Sequence, residues 1–193
     1  MKLDIQQFGG RGASSSSAYS KLASIESSRI GMKSEKLTIM SRDGKILKEL
    51  DGGENYVDAR EYRDLMKNAI ITHNHPMNDN FSNGDIKEFI DSNIYEIRAS
   101  TSKEVYSLKK GTGKLNTSIK DDYNKIGSEA FSYANNKLGE KIKNNTLGYI
   151  PRENPGRYNL DRQQFQAEYK HNWLKENAKK YGYIYERKTI KWN

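Results

Sequence analysis

The sequence predicts an α+β fold, and three observations carry that expectation. Short segments that alternate apolar and polar residues stand beside segments with apolar residues every three or four positions. Turn signals separate them at close intervals. The final third changes character, with two longer helical patterns ahead of a last alternating segment.

The elements follow in order. Residues 1–30 open with MKLDIQQFGGRGASSSS, Gly/Ser-rich and poor in apolar residues, which predicts a flexible arm. EKLTIMS and KILKEL flank Asp43-Gly44 and predict a β-hairpin. Residues 58–68 read as a helix, Ala69-Ile70-Ile71-Thr72 as a short buried strand, and 83–92 as a second helix. IYEIRAS and EVYSLK are two more strands, so that residues 31–110 make one compact unit. Gly-Thr-Gly-Lys at 111–114 is expected to be a linker and lacks the spacing of a phosphate-binding loop. Beyond it, 117–193 reads as a basic helical region. Ile119, Tyr123, Ile126, Ala130, Ala134, Leu138 and Ile142 mark a first amphipathic helix over 117–144. Phe165, Tyr169 and Trp173 mark a second over 161–181, and YGYIYERKTIKW alternates as a strand or hairpin.

Composition excludes several functions. The 193 residues contain no cysteine, which removes disulfides, thiolate metal sites and cysteine nucleophiles, so any metal must take His and carboxylate ligands. No apolar run approaches the roughly 18 residues that cross a bilayer, and residues 1–17 lack the apolar centre of a secretory signal. A protein made and kept in the cytoplasm, with no membrane segment, is expected. The net charge of +8 is uneven: ten basic against thirteen acidic residues over 31–102, but nineteen against ten over 103–193. The basic half is a candidate for double-stranded DNA, and a solvated face is the bland alternative. Lys170, Lys175, Lys179 and Lys180 would neutralise phosphates while Phe165, Tyr169 and Trp173 stack on bases. The same aromatics would equally serve as a helix-packing core. His171 lies off that stripe and is expected to be exposed.

The chemistry gathers at Thr72-His73-Asn74-His75-Pro76. In extended backbone, i and i+2 side chains point the same way, so both imidazoles can face one ion, and Zn²⁺ favours such nitrogen ligands. Asp85, at the start of the predicted helix, can turn back as a third ligand and leave a position open for water. Backbone-bonded loop histidines are the competing account. Ser82-x-x-Asp85 is also a capping-box pattern. Glu35 is the candidate general base, with Glu49 and Glu54 as rivals.

His73-Asn74-His75-Pro76, Phe81-Ser82 and Asp85-Ile86 together resemble the H-x-H…S-x-x-D signature of JAMM (MPN) metalloproteases and their RadC-like relatives. That resemblance implies a mixed sheet with flanking helices and zinc on His73, His75 and Asp85. It further implies Ser82 as donor to the developing oxyanion and Glu35 as general acid/base. The interval from His75 to Ser82 is one residue shorter than in the common form and resembles the version found in phage head and toxin-linked domains. Separately, MKLDIQQFGGRG resembles the opening of minor head (minor capsid) proteins of tailed phages, staphylococcal siphoviruses in particular. This second resemblance implies a virion protein in the head interior or portal region. It would contact portal or capsid proteins, and some such proteins leave with the DNA.

Overall fold

The computed structural model describes residues 13–190, and side chains from residue 17 onward. The fold is α+β, as expected. Six strands, β1 (Lys36–Met40), β2 (Ile46–Asp51), β3 (Ile70–Asn74), β4 (Glu96–Ser100), β5 (Glu104–Lys110) and β6 (Tyr183–Thr189), form one sheet in the order β2-β1-β3-β4-β5-β6. Only the β3–β4 pair is parallel, and α3 (Asn83–Asp91) makes the crossover between them. The β1–β2 hairpin turns at Asp43-Gly44, where Gly44 takes a φ of 95°. Residues 58–68 form less helix than expected, a 3₁₀ turn over Arg60–Tyr62 running into α2 (Arg63–Met66).

The pleat sorts the sheet into two unlike faces. Leu37, Ile39, Ile71, Ile97, Ala99, Tyr106 and Leu108 join one apolar core with residues of α3, α4 (Ile119–Lys143) and α5 (Pro155–Tyr181). Thr38, Thr72, Glu96 and Arg98 face the other way, beneath α1 (Ala13–Ser28). This helix corrects the expected arm over 1–30 for residues 13–28; residues 1–12 lie outside the described residues. Ala18 and Leu22 bury against Met40 and Ile70, but the stronger fastening is polar. Arg98 grips Glu26 with two hydrogen bonds of 2.7 and 3.0 Å and reaches Glu96 at 2.9 Å. Glu26 also accepts from Thr72 at 3.0 Å, and Glu96 accepts from Ser107 at 2.8 Å and from Tyr19 at 2.5 Å. A helix held by buried charges shows little apolar periodicity, which is why composition alone suggested an unpacked segment.

The C-terminal half is not set apart. β6 pairs with β5 along its whole length and completes the sheet, so the unit expected over 31–110 takes its last strand from beyond the expected linker. Gly111 donates its N–H to the Gly182 carbonyl at 3.0 Å, and Gly182 takes a φ of 76° where α5 ends and the chain turns into β6. A Cβ at Gly182 would meet the Lys114 carbonyl oxygen at 2.8 Å, so glycine is required there. The first turns of α4 bury Ile119, Tyr123 and Ile126 in the core, while Ala130, Ala134 and Leu138 are buried further along the helix. Among the described residues, no helix is long and apolar enough to cross a membrane.

Removing Arg98 strands two carboxylates that are almost wholly buried. Arg98→Met should lower the unfolding free energy in urea by about 3–5 kcal/mol, because an unpaired buried charge is left behind. Lys120→Met, which opens the partly exposed Lys120–Asp91 pair, should cost less than about 1 kcal/mol. Equal effects would contradict the role given to the buried network.

Candidate metal centre

β3 delivers the histidines. His73 lies in the strand opposite Leu37, and His75 extends the ladder by donating its N–H to the Ser100 carbonyl at 2.7 Å, so the two rings share the core-side face. Asp85 returns from the first turn of α3. The ligating atoms of His73, His75 and Asp85 all lie within 4.8 Å of one another, a group that can hold a metal ion. His73 Nε2 is 2.8 Å from His75 Nε2 and 3.0 Å from Asp85 Oδ1, and His75 Nε2 is 3.4 Å from Asp85 Oδ2.

The proton count of this cluster is informative. His75 Nδ1 is 3.0 Å from the Asp79 carbonyl, which can only accept, so Nδ1 carries the hydrogen and neutral His75 presents a lone pair at Nε2. If both Nε2 atoms carried hydrogen, the 2.8 Å separation would press two protons together. At least one imidazole lone pair is therefore aimed at the carboxylate-lined centre, where a single cation would meet all three groups. His73 Nδ1 is buried without a hydrogen-bond partner, leaving that ring less firmly oriented than its neighbour.

Asp85 divides its oxygens in part: Oδ2 takes the capping bonds while lying 3.4 Å from His75 Nε2, and Oδ1 faces His73 alone. Oδ2 accepts from the Ser82 N–H at 2.6 Å and from the Ser82 hydroxyl at 2.8 Å, while Ser82 Oγ accepts from the Asp85 N–H at 3.1 Å. This is a complete capping box. Oδ1 is left to His73. Ser82 thus stands at the site, but its hydroxyl already donates to Asp85.

Of the three candidate glutamates, Glu35 comes to the cleft beside this cluster. The cleft, about 790 Å³, is lined by Glu35, His73, His75, Ser82 and Asp85, with Leu37, Val57, Met66 and Ile97 giving it an apolar floor. Glu49 lies 3.6 Å from Arg29 and accepts from Thr38, on the α1 side, and Glu54 lines a different cavity. Asn74, between the histidines, secures the Glu35 segment: its Oδ1 accepts from the Lys36 N–H at 2.8 Å and its Nδ2 donates to the Ser34 carbonyl at 3.0 Å. Sequence reasoning missed Asn74. The available signal was its parity, which points it away from the ligands and toward the neighbouring strand.

Burial pushes the Glu35 carboxyl up, His73 and His75 pull it down, Asp85 adds to the rise, and the net shift is upward. Burial also presses the His75 imidazolium toward neutrality, but the hydrogen bond and charge of Asp85, with the Asp79 carbonyl and Glu35, overcome it and raise His75 to about 9. Asp85 moves oppositely: burial raises it, yet the two histidines hold it well below the usual carboxylate range.

The basic candidates do not act alike. Lys170 is largely buried and its Nζ lies 2.5 Å from Asp79 Oδ2, so it is committed within the fold. Lys180 donates to the Tyr181 hydroxyl at 2.6 Å and lies 3.6 Å from Asp122. Lys175 and Lys179 are exposed on α5. The aromatic stripe packs inward: Trp173 meets Tyr123 edge-on at 5.5 Å, and Tyr169 tilts against Tyr133 at 5.2 Å, both on α4. The expectation that His171 is exposed is corrected. It is buried, with Nδ1 3.1 Å from the Tyr185 hydroxyl, because β6 covers that side of α5.

In comparisons with known proteins, no family model, no curated protein and no solved structure matches the chain.

A cation entering this centre must displace the His75 proton. Apparent Zn²⁺ affinity should therefore climb as pH rises, by up to about tenfold per unit, and level off near pH 9, where the free site has lost that proton. Calorimetry at pH 7 in buffers of different ionisation heat should report release of about one proton per ion. Binding that releases no proton would contradict the raised His75.

Proposed function

We propose that the protein is a zinc-dependent hydrolase of the JAMM type that cleaves a peptide or isopeptide bond. The observation that carries this reading is the meeting of His73 Nε2, His75 Nε2 and the Asp85 carboxylate at the wall of a cleft that Glu35 also lines. The donor set fits zinc: two imidazole nitrogens and one carboxylate, with the His75 tautomer held by the Asp79 carbonyl. Zinc on those three residues supplies Lewis acidity and brings the pKa of water toward 7.

The chain's own groups divide the remaining work. A Glu35 carboxylate oxygen takes the proton of the attacking water and returns it to the leaving nitrogen, and its upward shift brings it nearer the neutral range in which such exchange is efficient. Leu37, Val57, Met66 and Ile97 offer an apolar surface to a substrate side chain. Ser82, whose hydroxyl donates to Asp85 Oδ2, orients that carboxylate, and the oxyanion role suggested by the resemblance would require it to leave that bond.

The setting we propose is a minor head protein of a tailed phage, in contact with portal or capsid proteins and with DNA. It rests on the likeness of residues 1–12, with exposed Lys175 and Lys179 as the candidate DNA contacts. Mass spectrometry of purified particles should find the protein, and its absence from virions would refute this setting.

For the site itself, protein purified without chelators should contain about one zinc per chain by elemental analysis, lost in His75→Ala and Asp85→Ala. Glu35→Gln should keep the zinc and the fold while cleavage of a peptide library falls by about 100-fold or more. A folded wild-type protein that takes up no zinc refutes the proposal.

A further inference from the structure

The loop over 76–82 joins two ligands, His75 and Asp85, and three C-terminal elements hold it. From α5, Lys170 Nζ lies 2.5 Å from Asp79 Oδ2. From β6, the Tyr185 hydroxyl accepts from Asn80 Nδ2 at 2.9 Å. From α4, the Tyr123 hydroxyl donates to the Phe81 carbonyl at 2.9 Å. Asp79 matters most, because its own carbonyl receives the His75 Nδ1 hydrogen.

The loop needs such fastening. Met77 is half exposed, and Asn78 holds a left-handed φ of 57° with its side chain bonded to Ser102 in the β4–β5 turn. The β4–β5 turn thus restrains the tip from one side. The Lys170 pair restrains the following residue from the other. A metal centre tolerates only about 0.5 Å or 10–20° of error in its ligands, so a loop that donates the outer hydrogen bond to one of them cannot be loose. Lys170 gives little global stability, since Asp79 is 37% exposed and can be hydrated when the lysine is lost. Its effect is confined to where Asp79 sits.

We infer that Lys170 is a positioning residue of the metal centre: by anchoring Asp79 it sets the orientation of the His75 ring, so that α5 tunes a site whose ligands come from β3, the residue just past its end, and α3. The inference rests on the metal-binding reading above.

Cobalt(II) alone tests it in the full chain, through its visible absorption and dissociation constant. Lys170→Met and Asp79→Asn should each weaken cobalt about tenfold, as loss of an outer support does, and alter the spectrum while the metal-free melting temperature stays near wild type. The double variant should be no worse than either single one, and Lys170→Arg should restore both readouts. Lys180→Met, which removes another paired lysine of the same helix, should bind as wild type does. If wild type gives its cobalt spectrum and Lys170→Met matches it in affinity and band shape, the positioning role is overturned while the metal site stands. A folded wild type that does not bind cobalt overturns the metal-binding reading, and this inference with it.

Discussion

The pleat of β3 sends Ile71, His73 and His75 toward the core and the cleft, and Ile70, Thr72 and Asn74 toward α1 and the adjoining chain. Two buried polar systems thus share one strand without meeting. On one side the histidines converge on Asp85. On the other, Thr72 gives its hydroxyl hydrogen to Glu26, and its carbonyl accepts from Arg29 at 3.2 Å. A slip of one residue in the register of β3 would exchange the two faces, placing histidines among the charges and Thr72 at the cleft. The parallel pairing with β4, antiparallel pairing with β1, and the ionic pairing under α1 all act against that slip. What holds the register therefore holds the site.

The site is assembled from chain segments far apart in sequence, and the fold brings each to it through a different kind of contact. Asn74 bridges to the backbone on either side of Glu35. Asp79 bridges to the His75 ring. Ser82 and Asp85 lock the start of α3. These are mostly hydrogen bonds to backbone, whose strength lies in direction, and the apolar layer of α3, α4 and α5 behind them fixes the elements that carry them. The buried charges on the opposite face serve a different end: each carboxylate under α1 is met by a guanidinium and by neutral donors, which offsets a desolvation cost that would otherwise expel the helix.

Local signals were legible in the sequence. The Asp43-Gly44 hairpin, the β3 strand leading into two histidines, the helix opening at Ser82-x-x-Asp85 and the first long helix all follow from spacing over a few residues, and the structure places them within a few positions of expectation. The second long helix, expected from 161, begins six residues earlier at Pro155, which fits the first helical turn because its missing N–H needs no partner there. The misses that matter most to the fold share one cause. α1, the burial of His171 and Lys170, and the closure of the sheet by β6 depend on partners 14 to 105 residues away, as in His171 with Tyr185 and Asn80 with Tyr185. No local pattern encodes such a partner. For α1 the signal was actively misleading, because serine-rich composition speaks of weak apolar packing and is silent on a single glutamate that finds an arginine across the sheet.

Capping by Asp85 and its readiness to take a cation have the same physical origin. A carboxylate at the third helical position folds back over the first turn, and the hydrogen bonds from Ser82 fix its torsions before any cation arrives. Because Oδ2 takes both Ser82 hydrogens, Oδ1 is presented toward His73 in one orientation and needs little further ordering to ligate. The capping box is therefore a means of preorganisation, and losing it would free the carboxylate to rotate as well as fray the helix. In this light the Ser-x-x-Asp spacing serves two ends at once. The loop ahead of it is held from outside, by Lys170 of α5, Tyr123 of α4 and Tyr185 of β6 acting on residues 79–81.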